Sequence, residues 1–166
     1  MKEIQSVAGL LFSPDRTEVL LVERRDVPVW VLPGGGVEKG EDPQYSIVRE
    51  FLEETGLKVE VDRLIGCYHP INRLTKTTHL YECRRIEGEL SLSEETRNIA
   101  FFPLQGLPKL LPPPYRDWIE DGFLYHPPIE KKLDSITYLS LVKYFLSHPL
   151  LTSRFLLARL GIPMNR

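Results

Sequence analysis

The chain has 166 residues, of which 42% are hydrophobic and 27% are charged, and its formal net charge is −2 at pH 7. This length fits one domain with a real core, and the composition excludes a fibrous or intrinsically disordered chain. A net negative chain has no overall field that attracts nucleic acid or an anionic membrane, so a phosphate-rich ligand has to be held by local arginines and a metal ion.

The first third of the sequence predicts strands separated by turns. Residues 4–12 form an apolar run, a turn signal follows at 13–16, and residues 19–22 and 27–32 are short β-branched or aromatic runs. The last run ends in a stretch of three glycines, where the backbone is free to adopt unusual conformations. The N-terminal residues lack a signal-peptide pattern, and no apolar stretch is long enough to span a bilayer, so we expect a cytoplasmic protein that does not contact the membrane.

The next segment predicts a helix with defined ends. Asp42 supplies an N-cap acceptor, and Pro43 follows at the first helical position. Gly56 stands where a left-handed residue ends a helix. Residues between these limits show the apolar spacing of a helix that packs one side on a core.

Three glutamates of this helix share a second face. Glu50, Glu53 and Glu54 are spaced as helical neighbours, and each like-charged pair costs an isolated helix about 0.2–0.5 kcal/mol. The helix macrodipole also opposes acids in the C-terminal half. A solvated acidic face is the ordinary explanation of such a cluster. The alternative explanation is that the cluster binds a hard divalent cation such as Mg²⁺. Such a cation prefers carboxylate oxygens and bridges to phosphates.

The remainder of the chain predicts further strands and then helices. We expect strands over residues 57–61, 64–68, 77–84 and 99–102, and helices over 136–146 and 150–160. This order indicates an α/β fold of the α+β layered kind. We expect a core over residues 1–112 and a helical extension over 113–166 that packs on the same domain. A contact between two copies of the chain through the C-terminal helices, giving a homodimer, is the alternative role of that extension.

The segment from Gly35 to Leu57 resembles the Nudix box, the signature of the Nudix hydrolase family. The box requires glycines, glutamates and an arginine at fixed offsets, with bulky apolar residues at two further places. Every fixed position is filled, by Gly35, Glu41, Arg49, Glu50, Glu53, Glu54 and Gly56, and the apolar places hold Phe51 and Leu57. An aromatic residue at position 51 is a mild departure from the usual aliphatic one.

The resemblance implies a fold, a reaction and a cofactor. The fold would be a Nudix-like mixed β-sheet sandwiched between helices. The reaction would be the cleavage of a pyrophosphate bond in a nucleoside diphosphate linked to another moiety, by attack of water on phosphorus. The cofactor would be Mg²⁺, with Mn²⁺ as a possible substitute. The implied metal-binding residues are Gly34, through its carbonyl, and Glu50, Glu53 and Glu54, which are also the implied catalytic residues.

Other residues are candidates for supporting roles. The resemblance implies that Glu41 and Arg49 form an internal ion pair. Arg24 and Arg25 lie on the approach to the box, where arginine forks suit phosphate oxygens, although a solvent-exposed strand end would also carry such charges. The general base stays open, with Glu50 first and Glu53 second. The loop pair Glu94 and Glu95 could supply an extra base or ligand, or could simply be a polar turn.

The sequence leaves the subfamily and the substrate open. Members that cleave ADP-ribose tend to carry a proline where this chain has Arg73, and the tyrosine typical of dinucleoside-polyphosphate members is also missing. A small nucleotide-like substrate is the general expectation. Two rival functions are a nucleotide sensor without turnover and an enzyme that removes pyrophosphate from RNA 5′ ends. The second would need a local basic patch such as Arg84-Arg85 or Lys131-Lys132.

Overall fold

The computed structural model describes residues 5–147, 149 and 153 of the chain. In these residues, strands precede and follow one central helix, and two further helices lie near the C-terminal end. The elements are β1 (Gln5–Leu10), β2 (Glu18–Arg24), β3 (Trp30–Val31), β4 (Gly34–Gly36), α1 (Pro43–Thr55), β5 (Lys58–Pro70), β6 (Thr77–Glu87), β7 (Thr96–Pro103), a 3-10 turn (Leu104–Gly106), α2 (Tyr115–Phe123), β8 (Ile129–Leu133) and α3 (Tyr138–Ser147).

The strands form two sheets. The larger sheet has the order β4-β1-β6-β5-β8, and it is mixed, because β1 runs parallel to β6 and β5 parallel to β8 while the other pairs are antiparallel. The smaller sheet has the order β3-β2-β7 and is antiparallel. This arrangement confirms the layered α+β class, with a mixed sheet between helices.

Helix α1 packs on one face of the larger sheet. Ile47 and Phe51 on the buried side of α1 are fully inaccessible, and they share a cluster with Val7 of β1 and Tyr81 of β6. Removing this much apolar surface from water stabilises the fold by roughly 1.5–3 kcal/mol for each large side chain. The opposite side of α1 is thereby turned away from the core, toward β4.

A second cluster fills the space on the other face of the sheet. Trp118 and Ile119 of α2 pack there with Leu80 of β6, Leu21 of β2 and Leu133 of β8. Residues after 112 therefore contribute to the core through α2 and to the larger sheet through β8. No helix within the described ranges is long and apolar enough to cross a bilayer.

Several elements differ from the sequence-based expectations. The strands predicted at 57–61 and 64–68 are one strand, β5, whose register shifts near Val61 and Leu64. The strand predicted over 27–32 shortens to β3, while the glycine stretch, expected as a loop, pairs with β1 as β4. Neither α2 nor β8 was predicted. The helix expected over 136–146 begins at Tyr138, and the one expected over 150–160 falls outside the described residues apart from Ser153.

Candidate active site

The ends of α1 are fixed by local hydrogen bonds, as the sequence indicates. The carboxylate of Asp42 accepts from the amide of Gln44 at 2.7 Å, so the side chain satisfies one of the free donors of the first turn. Gly56 adopts a left-handed φ of 75° and donates to the carbonyl of Leu52 at 3.0 Å. These two caps set where the helix starts and stops, and hence which side of it faces β4.

Arg49 organises the acidic side of α1. Its Nε donates to Glu41 Oε1 at 3.0 Å, and its Nη2 donates to the carbonyl of Gly36 at 3.2 Å. Its Nη1 donates to Glu50 Oε1 at 2.9 Å and to Glu53 Oε2 at 3.0 Å. The Arg49 guanidinium, together with the hydroxyl of Ser46 at 2.6 Å, lowers the pKa of Glu41 to about 2. One guanidinium thus ties the loop before α1, the edge of β4 and two box glutamates together.

Glu54 lies deeper than its two neighbours. The Oε2 atom of Glu54 accepts a hydrogen bond from the amide of Gly34 at 3.0 Å. Gly34 therefore contacts the helix through its N–H group. Burial raises the pKa of Glu54 to about 7, and the negative charges of Glu50 and Glu95 add to that rise. Burial also raises the pKa of Glu50, although Arg49 opposes the change. Acids with pKa values raised in this way are crowded and poorly solvated, and a bound cation would relieve both conditions.

Gly35 leaves room for one of these carboxylates. A Cβ at this position would lie 2.4 Å from Glu50 Oε1 and 2.6 Å from Glu50 Cδ. Real Cβ atoms do not approach other atoms so closely, so the carboxylate of Glu50 occupies the volume that any side chain on residue 35 would fill. The glycine of the box is therefore explained by the position of Glu50.

These groups surround a cavity of about 510 Å³. Its lining residues include two arginines and five glutamates, so their formal charges sum to −3. Both arginines already contact other carboxylates, Arg49 at Glu41 and Arg24 at Asp26. An anionic ligand would be repelled unless cations entered with it. The lining residues are Arg24, Gly34, Gly35, Gly36, Arg49, Glu50, Glu53, Glu54, Ser93, Glu94 and Glu95.

The donor set of the cavity suits a hard divalent cation. In the described part of the chain, no three acidic, imidazole or thiol side chains lie close enough together to hold an ion as they stand. Arg49 Nη1 donates to one oxygen each of Glu50 and Glu53. The free carboxylate oxygens nevertheless belong to the ligand type that Mg²⁺ and Mn²⁺ prefer. The cavity beside Glu50 and the crowding around Glu54 fit such an ion.

The residues predicted outside the box divide into two groups. Arg24, Glu94 and Glu95 line the cavity with the box glutamates. Arg25 does not line it, and its side chain instead binds backbone carbonyls. Its Nη2 donates to the carbonyls of Ser93 and Thr96 at 3.1 Å each, and its amide donates to the carbonyl of Glu95 at 2.9 Å. This placement makes Arg25 a support of the 93–96 loop, and its contact with substrate stays a prediction.

Removing the Arg25 side chain is expected to loosen that loop. Arg25→Met loses both side-chain hydrogen bonds, and we expect the amide hydrogens of residues 93–96 to exchange roughly tenfold faster, since a hydrogen bond from a charged donor contributes about 1.5–3 kcal/mol. Hydrogen–deuterium exchange measures this directly. Arg97→Met, which removes an exposed arginine from the neighbouring strand, is the control. Equal exchange rates in wild type and Arg25→Met would remove the supporting role.

The sequence missed three contributors to the cavity. Ser93 lines it and organises the loop, because its Oγ accepts from the amides of Glu95 and Thr96. Ser46 binds Glu41, and Asp26 binds Arg24 through two oxygens. A serine two residues before Glu95 is a recognisable turn signal, and so is Asp26, two residues after Arg24. The proximity of either to the box depends on the pairing of β2 with β7, which no local pattern shows.

The fold and the cavity together define an α+β protein in which an acidic helix faces a glycine strand. The NUDIX domain family matches residues 3–122. The crystal structure of an ADP-ribose pyrophosphatase from Streptococcus suis superposes with a TM-score of 0.65 at 26% identity, over 79% of this chain and 99% of that one. The chain therefore belongs to the Nudix family.

Two curated relatives show the range of activities among similar sequences. A putative 8-oxo-dGTP diphosphatase from Bacillus subtilis is 51% identical over 51 residues, which are 31% of this chain and 34% of the relative. An ADP-ribose pyrophosphatase from Methanocaldococcus jannaschii is 36% identical over 99 residues, which are 56% of this chain and 59% of the relative. The chain thus matches less than two thirds of the length of either protein.

Proposed function

We propose that this protein is a divalent-metal-dependent pyrophosphohydrolase that cleaves the pyrophosphate bond of a nucleoside diphosphate linked to another moiety. One observation carries the proposal: Glu50 and Glu54 converge on a cavity beside Gly34 and Gly35 in which carboxylates outnumber arginines. Membership of the Nudix family and the names of its relatives support it. The 8-oxo-dGTP diphosphatase and the ADP-ribose pyrophosphatases are all named for pyrophosphate cleavage in a nucleotide.

The metal would be held by the box glutamates Glu50, Glu53 and Glu54 with the backbone at Gly34. When bound, Mg²⁺ or Mn²⁺ would neutralise the phosphates and lower the cost of charge that develops during attack by water. The protein adds little covalent chemistry, so its contribution is positioning and electrostatics. Arg49 contributes by fixing the orientation of α1 against β4 through Glu41 and the carbonyl of Gly36.

Glu50 is the first candidate for the group that accepts the proton from water. Its side chain is 13% exposed and lies against Gly35, and burial raises its pKa, which strengthens it as a proton acceptor. The side chain of Glu53 is 57% exposed and is bound to Arg49, so Glu53 is the weaker candidate. Glu94 and Glu95 stay as alternatives, because the loop that carries them lines the same cavity.

A hydrolysis screen tests the proposal. The protein is incubated with a panel of sugar nucleotides, dinucleotides and nucleoside triphosphates in Mg²⁺ or Mn²⁺, and released phosphate products are followed. We expect cleavage of at least one class, abolished by chelation of the metal. Tight binding of a nucleotide without cleavage under any metal would contradict the proposal and favour a nucleotide sensor.

A further inference from the structure

A second cavity adjoins the glutamate cavity. This side cavity has a volume of about 650 Å³, is open to solvent, and is lined by Arg25, Leu92, Ser93 and Glu94. Ser93 and Glu94 also line the glutamate cavity, so the two cavities meet at the 93–96 loop. A third cavity, which Phe12 and Phe101 line, shares no lining residue with the glutamate cavity. The side cavity is therefore a continuation of the site, and the third cavity is separate from it.

The segment that carries Leu92 is held on both sides. Before it, the amide of Ser91 donates to the carbonyl of Thr55, at the end of α1, at 2.9 Å. After it, the carbonyl of Ser93 accepts from Arg25 Nη2 at 3.1 Å. The backbone at Leu92 is therefore positioned before a ligand binds, which lowers the entropy that binding costs.

The side cavity combines an apolar side chain with hydrogen-bonding groups of both kinds. Leu92 is 60% exposed. Arg25 binds the loop carbonyls through Nη2, and its Nε and Nη1 donate to no residue in the part of the chain that the structure describes. The exposed carboxylate of Glu94 forms no ion pair within the same part of the chain. These residues thus offer donors, an acceptor and an apolar surface that have no protein partner there.

A heterocyclic base matches this combination. Its faces are apolar and planar, and its edge carries both N–H donors and carbonyl or ring-nitrogen acceptors. The guanidinium of Arg25 can donate to such an edge, and the carboxylate of Glu94 can accept from it. A second phosphate group would instead be repelled by Glu94 and would leave Leu92 without an apolar partner.

We propose that the side cavity binds the base of the nucleotide substrate, with Leu92 against a face of the ring. This assignment rests on the proposed function and names the place of one part of that substrate. In a nucleotide whose pyrophosphate lies at the box glutamates, the ribose joins the phosphate to the base, so the base lies in a space next to the phosphate site. Because this contact is made in the bound substrate as well as during the reaction, its loss raises KM and leaves kcat nearly unchanged.

The test compares Leu92→Asn with Leu92→Met and Leu90→Asn. Leu90 is 46% exposed on the same segment and lines neither the side cavity nor the glutamate cavity, so Leu90→Asn controls for a polar change in the loop. For a nucleotide cleaved by wild type, we expect KM to rise about fivefold in Leu92→Asn, with kcat within about twofold. Leu92→Met keeps an apolar side chain and is expected to have nearly the KM of the wild type, as is Leu90→Asn.

Two further measurements identify the part of the substrate that Leu92 contacts. Calorimetric titration with Mg²⁺ and inorganic pyrophosphate, which has no base, is expected to give the same Kd for Leu92→Asn and wild type. Substrates that share one nucleoside but differ in the group linked to it are expected to show equal rises in KM.

The outcomes separate this proposal from the proposed function. An active wild type with an unchanged KM in Leu92→Asn overturns the base site and leaves the enzyme assignment standing. Weaker binding of pyrophosphate by Leu92→Asn, or an equal rise of KM in Leu90→Asn, also overturns it, since the effect would then be one of loop structure. A rise of KM that depends on the linked group would place that group, and not the base, in the side cavity. A wild type that cleaves no nucleotide overturns both proposals.

Discussion

Glu54→Gln is expected to lower turnover by on the order of a thousandfold while the protein stays folded. Glu54 is the deepest of the box carboxylates, and it lies between the amide of Gly34 and the cavity. Glutamine keeps the size of the side chain and an oxygen that accepts from Gly34, but it removes the charge that a divalent ion requires. Steady-state kinetics on the substrate found in the screen, at saturating Mg²⁺, measures the loss.

The matched control for this substitution is Glu87→Gln. Glu87 is a half-exposed glutamate at the far end of β6 whose partner is Lys58, so this variant removes one acid from the surface and leaves the cavity unchanged. Both variants are expected to give the circular dichroism spectrum of the wild type. Turnover of Glu54→Gln within a few-fold of wild type would remove Glu54 from the metal site.

Gly35→Ala is expected to weaken divalent-metal binding by about a hundredfold, because the new methyl group would overlap the carboxylate of Glu50 at 2.4 Å. The thermal unfolding temperature of the metal-free protein is expected to change little, since the end of the Glu50 side chain can rotate away. Calorimetric titration with Mn²⁺ measures the affinity. Gly35→Ala retains the charge of Glu50 and changes only the position of its carboxylate. The variant therefore tests whether that position is required for metal binding.

Gly36→Ala is the matched variant on the next residue. Among the described residues, a Cβ there would meet only Lys76 Nζ, at an ordinary distance of 4.0 Å. The carboxylate of Glu50 therefore stays in place, and the Mn²⁺ affinity is expected to be that of the wild type. Equal losses in the two variants would show that the glycine strand responds to any added side chain, and the specific role assigned to Gly35 would be wrong.

The sequence predicted the parts of the site that depend on local geometry. Helical periodicity alone places Glu50, Glu53 and Glu54 on one face, and the caps at Asp42 and Gly56 fix the helix that carries them. These features repeat over a few residues, so they can be recognised without the fold. The layered α+β class was predicted correctly for the same reason.

The parts of the site that depend on strand pairing could not be predicted from local sequence patterns. Arg25 was a candidate for substrate binding because it precedes the box, and its contact with the 93–96 loop depends on the pairing of β2 with β7, which no local pattern shows. Strand β8 was missed because its three exposed residues, Glu130, Lys131 and Lys132, are charged, as is typical of an edge strand.

The most direct test of the account is a crystal structure of the protein grown with Mn²⁺, with anomalous diffraction used to locate the ion. We predict a peak in the space between Glu50, Glu54 and the backbone at Gly34, with the carboxylate of Glu50 released from Arg49 to bind it. At saturating Mn²⁺, a map without a peak in this cavity, and with Arg49 still bound to both Glu50 and Glu53, would contradict the assignment of a metal site.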